Sequence, residues 1–171
     1  MRLESVDVIE EEMESIYQIV RDEMTELIPY LPNVSKIVLE ESNGNRRVNR
    51  WFAQTDNVPS ILQKFIKPEF FSWIDRAEWD DANYLVRFEL ESVLGKDLYD
   101  AKGTTYFKEV GDGTTELKVT CDVILYPEKI PGVPKLLAKK LKPAIETLLA
   151  KILEPNLTSL AKGLQQYYAS K

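Results

Sequence analysis

At 171 residues, 44% of them hydrophobic and 10% aromatic, the chain has the size and apolar content of one domain around one core. A formal net charge of −6 argues against a dedicated nucleic-acid binder, which needs a basic face to displace counterions from phosphates. With no histidine and one cysteine, Cys121, the chain has no histidine triad, no imidazole or thiolate zinc site and no intrachain disulfide.

The N-terminal half alternates between strand and helix signals. Leu3 to Ile9 reads as a first strand, with poor alternation. Met13, Ile16, Tyr17, Val20, Met24, Leu27 and Ile28 form a helical stripe that Pro29 and Pro32 end. Val34 to Glu41 and Arg47 to Gln54 read as two strands joined at Ser42-Asn43-Gly44-Asn45, a hairpin sequence because Asn and Gly tolerate positive φ. Asp56 or Asn57 is placed to cap a short helix from Pro59 to Ile66, which Pro68 ends.

Four strands follow as a meander. The expected spans are Phe70 to Trp79, Tyr84 to Ser92, Leu98 to Val110 and Thr114 to Tyr126, with turns at Asp80 to Asn83, Gly95-Lys96-Asp97 and Gly111-Asp112-Gly113. Tyr84, Val86, Phe88 and Leu90 alternate with Leu85, Arg87, Glu89 and Glu91. Leu117, Val119, Cys121, Val123 and Leu125 alternate with Lys118, Thr120 and Asp122. This period of two marks a sheet covered on one face and wet on the other. Tyr99, Ala101, Gly103, Thr105 and Phe107 share a face, and the small residues among them leave space on the covered side.

The cover is the last stretch, from Pro134 to Lys171. Leu137, Leu141, Ile145, Leu148 and Ile152 recur at steps of three and four. A second row runs through Leu149, Leu153, Leu157, Leu160, Leu164 and Tyr168. A helix of this length reaches roughly 50 Å. Pro143 and Pro155 lie inside it, and each is expected to kink it without ending it.

The order strand, helix, hairpin, short helix, four-strand meander and long C-terminal helix resembles the START-like superfamily, also called SRPBCC or the Bet v 1-like helix-grip fold. The segments that carry the resemblance are Trp79-Asp80-Asp81-Ala82-Asn83-Tyr84, Gly103-Thr104-Thr105-Tyr106-Phe107 and Asp112-Gly113-Thr114-Thr115-Glu116-Leu117-Lys118-Val119. The short helix and the basic C-terminal helix are similar to a bacterial subgroup of polyketide-cyclase/dehydrase-like proteins. The resemblance covers nearly the whole chain and implies an α+β fold. A curved antiparallel sheet of six to seven strands would wrap a long kinked helix in a single domain over 1–171. It also implies a cavity for an apolar small molecule or lipid, without a cofactor.

On that expectation Leu141, Ile145, Leu148 and Ile152 form one cavity wall. Val86, Phe88, Tyr99, Phe107, Val119 and Cys121 form the other, with Trp51, Trp73 and Tyr84 also ligand-binding and the Pro59 to Ile66 helix as a lid. Plain core packing is the competing reading for these aromatics, and an inert buried thiol for Cys121. Asp75 shares parity with Phe71, Trp73, Ala77 and Trp79 and so points to the covered face, where an unpaired carboxylate is costly. With Tyr99 or Tyr84 beside it, Asp75 is the candidate general acid or base of a cyclase-like enzyme. Neutralisation by Arg87 or Arg50, a register break, or exposure at a bent strand would remove that role.

Charge is uneven. Glu4, Asp7, Glu10, Glu11, Glu12 and Glu14 crowd the start, while Lys135, Lys139, Lys140, Lys142, Lys151, Lys162 and Lys171 line the final helix. Complementary solvated faces explain this; weak contact with an anionic membrane surface is the alternative. No apolar run approaches a membrane span and no export signal opens the chain. A cytoplasmic setting is therefore expected, which makes the Asn33-Val34-Ser35 and Asn156-Leu157-Thr158 sequons chance matches.

Overall fold

A computed structural model describes residues 1–54, 59–65, 72–94 and 97–171, and at 149, 152, 153 and 158 the backbone alone. The strands are β1 (Arg2–Ile9), β2 (Val34–Asn43), β3 (Arg46–Ala53), β4 (Ser72–Asp80), β5 (Leu85–Ser92), β6 (Tyr99–Gly111) and β7 (Thr114–Leu125). The helices are α1 (Met13–Asp22) and α2 (Lys135–Ala169). The seven described strands form one antiparallel sheet in the order β1-β7-β6-β5-β4-β3-β2. The first strand thus closes onto the last, and β1 and β2 are the two edges. Register shifts at Val34/Lys36, Leu39/Glu41 and Glu109/Gly111 mark bulges, the usual device for bending a strand.

The alternation along β7 sorts its side chains by face. Thr115, Leu117, Val119, Cys121, Val123 and Leu125 are buried, and the residues between them are partly or fully exposed. The β2–β3 hairpin turns at Gly44, whose φ of +57° is unfavourable for a residue with a Cβ.

Three elements differ from the sequence expectation. The helix expected from Met13 through Ile28 stops at Glu23 (φ −130°), and a 3-10 segment, Met24–Tyr30, continues the stripe with Pro29 inside it. An α-helix through Pro29 would press its ring on the Thr25 carbonyl. The tighter segment instead carries Leu27 into the core, where it is fully buried. Tyr84 does not begin a strand: with φ +50° it closes the β4–β5 turn.

Residues 60–65 form consecutive tight turns, with Leu62 N–H donating to Pro59 O at 2.8 Å and Phe65 N–H to Leu62 O at 2.9 Å. Asp56, Asn57 and Ile66 of the expected short helix lie outside the described residues, as do Gly95 and Lys96 of the β5–β6 turn.

α2 runs unbroken through Pro143 and Pro155 and serves two cores in succession. Its first half sets Ala138, Leu141, Ile145 and Leu148 against Leu62, Leu98, Leu125, Ile130 and Val133. Its second half sets Leu157, Leu160, Ala161 and Leu164 against α1 and the sheet residues Trp79, Val86, Phe107, Leu117 and Val119. Gln165 Nε2 donates to the Val8 carbonyl at 3.0 Å, and Thr115 Oγ1 to the Glu11 carbonyl at 2.7 Å. These bonds tie the end of α2 to β1, and the β1–α1 connection to β7. Among the described residues no helix is long and apolar enough to cross a membrane.

Candidate functional site

A cavity of about 130 Å³ lies between the covered face of the sheet and the second half of α2. The sheet wall is Trp51 from β3, Trp73, Ala77 and Trp79 from β4, Val86, Phe88 and Leu90 from β5, Thr105 from β6 and Val119 from β7. Leu157 and Leu160 of α2 face it, and Val20, Met24, Leu31 and Val34 close its side. The two-residue period puts the sheet residues on one face.

Packing keeps the space open. Trp51 and Trp73 stack across β3 and β4 with ring centroids 5.8 Å apart and planes 12° apart. They occupy each other's face rather than the hollow. Phe88 lies over Gly103, its cross-strand partner: a Cβ at Gly103 would run into the Phe88 ring and the Thr120 carbonyl. The missing side chain therefore lets the ring settle onto the sheet.

The polar groups in this apolar wall are few. Among the lining residues Asp75 is the ionisable side chain, and Asn49, its cross-strand partner, and Asn156 are the amides. Asp75 lines the cavity and as a residue keeps intermediate accessibility, but its Oδ1 is sealed from water and has no hydrogen-bond partner among the described residues. Burial pushes its pKa up to about 7; the nearby Trp51 indole tempers the rise but falls short of hydrogen-bond geometry.

The indole nitrogens of Trp51 and Trp79 and both side-chain polar atoms of Asn156 are likewise buried without a partner among the described residues. Leaving such groups unmatched costs roughly 1–3 kcal/mol each. That the residues carrying them all line one hollow is a pattern that binding sites show and plain cores avoid.

The arginines that might have neutralised Asp75 are engaged elsewhere. Arg50 Nε sits 2.7 Å from Glu40, and Arg87 Nη1 3.9 Å from Asp80. Asp75 is neither exposed nor displaced by a register break: it pairs with Asn49 and Leu90 in an unbroken β4 register.

Of the residues expected to bind a ligand, Trp51, Trp73, Val86, Phe88 and Val119 line this cavity. The others whose side chains are described lie elsewhere. Leu141, Ile145 and Leu148 are packed in the core of the first half of α2, with Tyr99 at its margin. The Ile152 side chain lies outside the described residues. Cys121 is buried beside Leu3, Ala101 and Val123, and burial pushes its thiol up to about 11, with Asp122 and Asp75 adding to the rise.

Phe107 packs edge-on against Tyr17 at 5.2 Å. Tyr84 also meets Tyr17, at 5.0 Å, and donates its hydroxyl to Glu14 at 2.5 Å. Neither Tyr99 nor Tyr84 lines the cavity with Asp75, so the carboxylate–tyrosine pair does not assemble there. Nor does the 59–65 segment cover it, because Leu62 is seated in the other core.

Sequence reasoning missed as site residues Asn49 and Asn156, Leu157 and Leu160 of α2, Ala77, Trp79, Leu90 and Thr105 of the sheet wall, and the side wall of Val20, Met24, Leu31 and Val34. A signal existed for Asn49, which shares strand parity with Trp51. Asn156 sits beside Leu157 in the apolar row and directly after Pro155. A polar residue at that point of a buried helix face was the clue.

No protein-family model matches the sequence, and no curated protein does. Solved structures do match. A protein from Thermus thermophilus, TTHA0849, is 22% identical with a TM-score of 0.69, covering 100% of this chain and 99% of its own. The ZhuI aromatase/cyclase from Streptomyces sp. R1128 is 12% identical with a TM-score of 0.72, covering 99% and 97%. A START superfamily protein from Mycobacterium smegmatis is 18% identical with a TM-score of 0.50, covering 93% and 98%. At such identities what is shared is the architecture, a curved antiparallel sheet around a long C-terminal helix.

Proposed function

We propose that this chain, which has the START-like (SRPBCC) helix-grip fold, binds a hydrophobic small molecule in the cavity between its sheet and the second half of α2. The observation that carries the reading is the cavity itself: about 130 Å³ walled by tryptophan, phenylalanine and aliphatic side chains, with residues that carry unmatched polar atoms among its lining. A hollow of about 150 Å³ lined by apolar groups takes a benzene-sized guest, so the volume suits a single-ring molecule. The aromatase/cyclase and START neighbours are consistent with such a cavity.

Native mass spectrometry of freshly purified protein, with an organic extract analysed alongside, tests the reading. A bound small mass is expected in the wild type and its absence in Ala77→Phe, which fills the cavity from β4. Failure to detect any bound or extractable molecule, together with failure of small apolar probes to bind, counts decisively against it.

A second reading has its own observation. At the start of α2, Leu136 is 92% exposed and Leu137 38% exposed, and the exposed Lys135, Lys139 and Lys140 surround them. Apolar side chains within a basic cluster complement an anionic lipid surface. Sedimentation with phosphatidylserine-containing vesicles is expected at low salt, with loss in Leu136→Glu and at about 0.5 M salt, where the screening length shrinks to a few ångströms. Equal binding to neutral vesicles refutes it.

A further inference from the structure

We infer that the cavity selects a compact, single-ring molecule that donates a hydrogen bond from its polar end, a hydroxyl or a protonated amine, to Asp75. The inference rests on the cavity-binding reading and adds the ligand's chemistry to it.

The argument starts from what the cavity lacks. Asp75 Oδ1 is an acceptor sealed from water. Among the described residues no basic side chain lines the cavity, and the arginines of neighbouring strand positions pair elsewhere: Arg50 with Glu40, Arg76 with Glu91, and Arg47 with Asp22. The fold therefore brings a carboxyl group into an apolar wall and sets no cation beside it.

Two indole N–H groups, on Trp51 and Trp79, and the Asn156 amide belong to residues lining the same space, and none has a partner among the described residues. Together they present donors and acceptors at once. A hydroxyl answers both, donating to Asp75 while accepting from an indole. An ammonium answers the carboxylate with charge, and the rings of the Trp51–Trp73 stack add a favourable surface for a cation. Where Asp75 is ionised, an anionic ligand meets its charge and is excluded. A pure hydrocarbon fills the volume and leaves every orphaned group unmatched.

Four ring compounds of similar size separate these cases: toluene, p-cresol, benzylamine and benzoate, titrated against ligand-stripped protein by calorimetry or tryptophan fluorescence. A hydrogen bond to a charged group is worth roughly one to two powers of ten in affinity. The expected order places p-cresol or benzylamine at least about tenfold tighter than toluene, with benzoate weakest.

Asp75→Leu, which has the same branched heavy-atom skeleton, keeps toluene binding and loses the advantage of both donors. Asp75→Asn distinguishes the two donors, because its amide oxygen still accepts from a hydroxyl but no longer attracts an ammonium. Circular dichroism confirms folding of both variants. Toluene binding as tightly as both donors, or an unchanged ranking in Asp75→Leu, overturns the inference and leaves the cavity reading standing. Failure of all four compounds to bind overturns both.

Discussion

Replacing Asp75 with asparagine is expected to stabilise the ligand-free protein at pH 8 by about 3 kcal/mol and to destabilise it at pH 4 by about 1 kcal/mol. The folded carboxyl titrates near 7, against an ordinary 3.8. Between those values the unfolded chain has released its proton while the folded chain still holds it, so the unfolded state binds fewer protons and stability falls as pH rises. The contribution is fully present below 3.8 and gone above 7. The rise from 3.8 to about 7 corresponds to about 4 kcal/mol, from which an unmatched asparagine amide takes back about 1 kcal/mol.

Cys121, close enough to feel the Asp75 charge, is held up to about 11 and does not titrate in this window. Urea unfolding of both proteins from pH 4 to pH 8 checks the expectation. The gap should widen through the window and level off above it. A gap of constant size would mean that Asp75 is not sealed as described. A donor ligand should narrow the gap, because it gives the ionised carboxylate a partner that the fold withholds. An acid kept at such a cost is what a site shaped for binding, rather than for stability, contains.

The residues legible in the sequence are those whose periodicity alone sets their direction. Val86, Phe88 and Leu90, then Val119, follow a period of two, and so does Asp75; all of them face the cavity. The helix is harder to read. Its apolar rows run continuously from Leu141 to Leu164, and periodicity says which side of a helix is covered but not by what. Leu141, Ile145 and Leu148 instead pack in the core that Leu62, Leu98 and Ile130 share with them.

The hollow lies two turns further on, where Leu157 and Leu160 meet the sheet. No local pattern distinguishes the two halves, since the difference depends on which distant segment supplies the filling. Tyr84 passes for a strand residue for a related reason. Its parity continues that of Val86, but the tight β4–β5 turn takes it into the left-handed region, φ +50°, and aims it at α1. At α1 the break at Glu23 also hides from the pattern, because the apolar spacing runs on through the 3-10 segment.

Gly103→Ala is expected to cost about 3 kcal/mol, the upper end for overpacking by one methyl group, and to abolish probe binding in the cavity. The new methyl would meet two neighbours, the Phe88 ring and the Thr120 carbonyl. The carbonyl belongs to β7, which is paired with β6 along nearly its whole length, so it yields little. The ring can move, and one open direction is the cavity that Phe88 already lines. One substitution thus reduces stability and fills the site by the same displacement.

Pairing it with Phe88→Ala separates the two collisions. In the wild-type background, truncating a largely buried phenylalanine costs roughly 3–5 kcal/mol. In the Gly103→Ala background it should cost clearly less, since part of that loss is returned as relief of the clash. Denaturant unfolding of the four proteins gives the coupling, and titration with a single-ring probe gives the state of the cavity. Equal costs for Phe88→Ala in both backgrounds, or a Gly103→Ala protein that still binds the probe at wild-type affinity, would show that the ring does not rest on the glycine and that something else holds the cavity open.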